Sequence, residues 1–81
     1  MHEINHHEHH RLEDREKFIK RIEHWIRHND EHLTGYEDWK RWCEETGLKE
    51  VSEILDKVCA GVREQNELLK QALESLRQSQ K

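Results

Sequence analysis

Apolar positions recur along this chain at steps of three and four. Phe18, Ile22, Trp25, Asn29, His32, Tyr36, Trp39 and Cys43 follow one another in a 4-3-4-3-4-3-4 rhythm, the a/d seam of a packed helix. Ile19, Ile26 and Leu33 widen that stripe on one flank. The rhythm crosses Thr34-Gly35 without a change of phase, so the helix is predicted to continue there. Gly inside a helix costs about 1 kcal/mol relative to Ala, which leaves room for a local kink. A true stop is predicted at Thr46-Gly47-Leu48. Gly47 suits the left-handed position that ends a helix, and Leu48 the apolar contact that follows it. A second run then begins: Val51, Leu55, Val58, Val62, Gln65, Leu69, Ala72 and Leu76, broadened by Ile54, Leu68 and Leu73.

The pattern predicts an all-α fold: residues 11–81 form a long antiparallel helical hairpin. Its helices are expected over about residues 11–46 and 49–78, with the turn at 47–48. Each arm is near 45 to 50 Å, at about 1.5 Å per residue. Such a hairpin has more apolar surface than one partner helix covers. Pairing two hairpins into a homodimeric four-helix bundle, or coiled coil, is the simplest remedy.

Composition supports long helices. The chain has 81 residues, 40% of them charged and 32% apolar, with no proline and three glycines. Glu, Lys, Arg, Gln and Leu are good helix formers, and no strand signal of alternating β-branched residues is present. At this length a single core is marginal, and metal, disulfides or oligomerisation are the usual supplements.

Polar residues inside the stripes carry register. Asn29 and His32 in the first run and Gln65 in the second occupy seam positions, where polarity weakens packing but fixes alignment. Folding about Gly47–Leu48 brings His28 level with Glu67, His32 with Arg63 or Glu64, and His24 with Gln71. Glu64 and Glu67 are then the carboxylates closest to the histidine face. Either they orient an imidazole by accepting its second N–H, or they are solvated charges. The same register sets Cys59 beside Tyr36, about 10 Å along the axis from Cys43. A disulfide needs Cα atoms within about 7 Å. Both cysteines are therefore expected to be unbridged, small buried apolar residues of a reducing compartment.

The formal net charge is −4, and acids and bases are interspersed with no basic stripe interleaved with aromatics. Nucleic acid is therefore not expected as a partner. No apolar run approaches the length of about 18 residues that spans a membrane, and no signal peptide is recognised, so a cytoplasmic location is expected.

The candidate chemistry lies in His24, Trp25, His28 and His32, a His-Trp-x-x-His-x-x-x-His motif. Residues four apart share one helix face, about 6 Å apart along the axis. Neutral imidazole is a ligand for Ni(II), Cu(II), Zn(II) and Co(II). An i,i+4 pair can grip one ion with two nitrogens. Three on a straight helix span about 12 Å, so either two chelate or a second chain completes the site. Solvated surface histidines are the bland reading. Trp25 is rotated about 100° from His24 and reads as a core anchor beside the site. Residues 1–10 hold five further histidines, His2, His6, His7, His9 and His10. Glu3, Ile4, Asn5 and Glu8 interrupt them, unlike the unbroken run of an expression tag, which is the alternative reading. A flexible metal-collecting tail with weak secondary sites is the functional one.

On this motif the chain resembles the CooJ family, small accessory proteins that handle nickel for carbon monoxide dehydrogenase maturation. The resemblance extends over roughly residues 18–76, and the motif residues His24, Trp25, His28 and His32 are its diagnostic part. Family members also carry a histidine-rich tract, in the best-known ones at the C-terminus rather than the N-terminus. The resemblance implies a homodimeric, non-catalytic metallochaperone that binds Ni(II) at or near the subunit interface, with a nickel-enzyme maturation system as its partner. Nickel itself comes from the resemblance alone, because intrinsic affinity peaks at Cu(II). The competing reading is a helical homodimeric interaction module with incidental histidines. A zinc enzyme is disfavoured, because no His-Glu-x-x-His arrangement is present.

Overall fold

The computed structural model describes residues 11–79, and all regular structure among them is helical. Helix α1 spans Arg11–Glu45 and α2 spans Lys49–Gln78. They pack antiparallel as one hairpin: Arg15 meets Ser79 at the open end, Asn29 meets Asn66 midway, and Lys40 meets Asp56 near the turn. The histidines at 2, 6, 7, 9 and 10 lie outside the described residues.

α1 runs through Thr34-Gly35 unbroken. Thr34 donates its hydroxyl back to the Asp30 carbonyl (3.2 Å), sharing the acceptor of its own backbone N–H, a local back-bond that the helix absorbs without breaking. The turn is a Schellman motif. The Leu48 N–H donates to the Cys43 carbonyl (2.8 Å) and the Gly47 N–H to the Glu44 carbonyl (3.4 Å). Gly47 sits at φ 81°, a conformation that side-chain-bearing residues resist. The Leu48 carbonyl already accepts the Ser52 N–H (3.0 Å), so α2 starts at once, without a side-chain cap.

The seam between the helices is narrower and less apolar than the sequence pattern suggests. Its buried residues are Ile22 and Cys43 from α1 and Ser52, Cys59, Asn66 and Leu73 from α2. Asn29 and Tyr36 are half-buried at the same heptad position as Ile22, and Leu55, Val62, Leu69 and Leu76 are half-buried on α2. Half of the expected seam is thus corrected. Phe18, Trp25, His32 and Trp39 face outward, as do Val51, Val58, Gln65 and Ala72. The reason is steric and polar together. Small Ser52, Cys59 and Asn66 let the helices approach closely enough for direct amide bonding, which bulky residues at 51 and 58 would prevent.

Register is held by that bonding. The Asn29 side-chain amide donates to Asn66 Oδ1 (2.9 Å), and Asn66 Nδ2 donates to Asp30 Oδ1 (2.9 Å) and to the Ile26 carbonyl (3.2 Å). Asn66 is 4% exposed, and both ends of its amide are satisfied, as burial demands. The polar residue of α2 that bonds across the seam here is therefore Asn66 rather than Gln65. Cys43 and Cys59 are buried and free, as expected.

The two long sides of the hairpin differ. One is laced by cross-helix ion pairs: Glu23 with Arg77 (2.5 Å), Glu37 with Arg63, and Lys40 with Asp56 (3.9 Å). Lys40 also bonds Glu44 at 2.9 Å; that hydrogen bond, and then the carboxylate's charge, raise its pKa above the usual lysine value. The other side carries exposed Trp25, Trp39, Val51 and Val58. The body measures 58 × 30 × 14 Å, one helix layer thick. No described helix is long and apolar enough to cross a membrane.

Candidate metal centre

The histidine ladder is built by α1 alone. His24, His28 and His32 are all exposed. They follow one another at i,i+4, so the ladder winds slowly around the helix, from the outer surface at His24 towards half-buried Tyr36. The His32 and Tyr36 rings stack at 6.0 Å between centroids.

The structure singles out one pair. His28 Nε2 and His32 Nε2 are 2.9 Å apart, with ring centroids at 4.4 Å and planes at 87°. His24 only stacks on His28, at 5.7 Å and 22°. With one nitrogen protonated, the 2.9 Å contact is an N–H···N hydrogen bond. With both unprotonated, the two nitrogens are near enough for side-chain rotation to turn both towards one ion. Two nitrogens each about 2.05 Å from a metal and at right angles are about 2.9 Å apart, whereas a tetrahedral angle opens them to about 3.3 Å. Both separations lie close to the observed one, so the pair is compatible with two-point binding of an imidazole-preferring ion and does not select among such ions.

An open groove of about 360 Å³ lies beside His28, lined by Trp25, His28, Asn29, Gln65 and Leu69. Trp25 is 41% exposed. It walls this groove rather than anchoring the seam between the helices. The heptad pattern gives Asn29 and Gln65 a role in register only; their place beside His28 follows from how each helix is rotated about the seam.

Neither acid expected near the histidines completes a site. Glu67 pairs with Lys70 at 3.5 Å, and Glu64 is exposed. Among the described residues no group of three or more His, Cys, Asp or Glu side chains is placed to hold an ion. Among the described residues the ladder thus brings two imidazoles together with no third candidate ligand.

Comparison with known protein families matches residues 18–76 to the family described as Domain of unknown function (DUF8180), and the chain belongs to that family. The matched span contains the whole ladder and the Gly47 turn. No curated protein and no solved structure matched.

Proposed function

We propose that this chain is a non-catalytic nickel-binding accessory protein of the metallochaperone kind, working as a homodimer. The observation that carries this reading is the 2.9 Å approach of His28 Nε2 to His32 Nε2 on an exposed helix face. Two imidazoles within reach of one ion, on an exposed face with open positions around them, are suited to taking up an ion and giving it away. His24 lies one turn away as an auxiliary ligand, and the N-terminal histidines act as a weak collecting reserve. The resemblance of the His24–His32 motif to the CooJ family supports Ni(II) as the cargo, the cytoplasm as the location and carbon monoxide dehydrogenase maturation as the destination. Zn(II), Co(II) and Cu(II) remain competitors in vitro.

The dimer rests on surface chemistry. A hairpin one layer thick with exposed Trp25, Trp39, Trp42, Val51 and Val58 needs a second layer, as domains are built from packed layers. His28 and His32 border that face, so pairing would bring two such pairs into reach of one ion. The same apolar face favours the second reading, a helical interaction module whose histidines are incidental.

Calorimetric titration with Ni(II) separates the two. Replacing His24, His28 and His32 by Ala removes the tighter class of sites while the weak tail class persists. Replacing the five N-terminal histidines does the reverse. Loss of all binding on changing the tail alone would leave the interaction module as the function.

A further inference from the structure

The interspersed charge of the sequence conceals a basic surface on the outer side of α1. From Lys17 to His28 the chain holds four cations, Lys17, Lys20, Arg21 and Arg27, and two histidines, His24 and His28. The one carboxylate in that stretch is Glu23, and it is drawn across the seam onto Arg77 (2.5 Å). Lys17, Lys20, Arg21 and His24 together line one shallow groove of about 280 Å³. All four cations are exposed, and none makes an ion pair or side-chain hydrogen bond among the described residues. Elsewhere Lys40, Arg41, Arg63, Lys70 and Arg77 are each matched to an acid, and the exposed Lys49 and Lys57, without an ion pair among the described residues, have Glu50, Glu53 and Asp56 between them in sequence.

We infer that this stripe is a docking surface for an acidic segment of a partner protein, distinct from the apolar face and formed by its four cations without any bound metal. Charge complementarity argues for it. A protein of net charge −4 repels acidic partners overall, so four unmatched cations in about 15 Å of helix form a local exception that steers an acidic segment to one place. The stripe's length argues for a short protein segment over a nucleic acid or an anionic membrane. Glu16 bounds it at one end and Asp30 and Glu31 at the other. A phosphate backbone or lipid surface extending past it would run over those carboxylates.

The test uses the full chain and a short fluorescent peptide of alternating Glu and Ala, followed by anisotropy at low ionic strength. Native protein binds, and affinity falls as salt screens the contact. K17E/R21E weakens binding by about tenfold or more. K49E/K57E changes net charge equally, at exposed lysines on α2, and leaves affinity within about twofold. Failure of the native chain to bind the peptide overturns the inference, and so do equal losses in the two double variants. Tighter binding to a DNA duplex or to phosphatidylglycerol vesicles than to the peptide also overturns it. Because no metal is added, none of these outcomes depends on the nickel reading.

Discussion

Asn66 ties α2 to α1 through three hydrogen bonds. Its buried amide satisfies Asn29, Asp30 and the Ile26 carbonyl at once. Truncating it strands those groups, and a buried unsatisfied polar group costs about 1–3 kcal/mol. Asn66→Ala should therefore lower the urea midpoint clearly. Gln65→Ala, one residue away but exposed, should move it by no more than about 0.5 kcal/mol. Both are compared with the native chain at one protein concentration, because dimerisation would couple stability to concentration. Equal effects would mean that α2 turns Gln65, not Asn66, into the seam. The cysteines yield a second residue-scale expectation. They stand at different levels of the hairpin and are free, so mass spectrometry of non-reduced native protein should find no intramolecular bridge.

The glycines test the elements in opposite directions. Gly47 holds φ 81° at the turn, and a side chain there costs about 1–2 kcal/mol, so Gly47→Ala should destabilise. Gly61 is exposed in the middle of α2, and a Cβ there would have open space within 4 Å. Gly61→Ala should stabilise by up to about 1 kcal/mol. Thermal melts of the two variants should move apart; a parallel shift would contradict the Schellman turn. The hairpin was legible in sequence because its signals are local: the heptad rhythm, the absence of proline and Gly47-Leu48. The rotation of each helix was not. Apolar periodicity reports every buried or buriable face together, and here large residues such as Trp39 and Val58 mark one face while small Ser52, Cys59 and Asn66 mark the seam. The ladder's spacing was equally legible. That His28 and His32 converge while His24 only stacks depends on side-chain rotamers, which spacing does not encode.

At the scale of the molecule, an apolar core of Ile22, Cys43, Cys59 and Leu73 is small for a free-standing domain. The proposed dimer should sediment near 20 kDa, twice the 10.0 kDa chain. Val58→Glu on the exposed apolar face should shift it towards monomer, since a charge buried in an interface without a partner is strongly unfavourable. Reversal of an exposed outer residue such as Lys57→Glu should not. A folded, monodisperse native monomer would remove the second layer from the account. The nickel reading stands or falls on which histidines act together, and Ni(II) calorimetry on His24→Ala, His28→Ala and His32→Ala measures that directly. His28→Ala and His32→Ala should each weaken the tighter site by about tenfold or more, the loss of one ligand of a two-point grip, and His24→Ala by clearly less. Equal losses at all three positions, or the largest loss at His24, would contradict the pairing of His28 with His32.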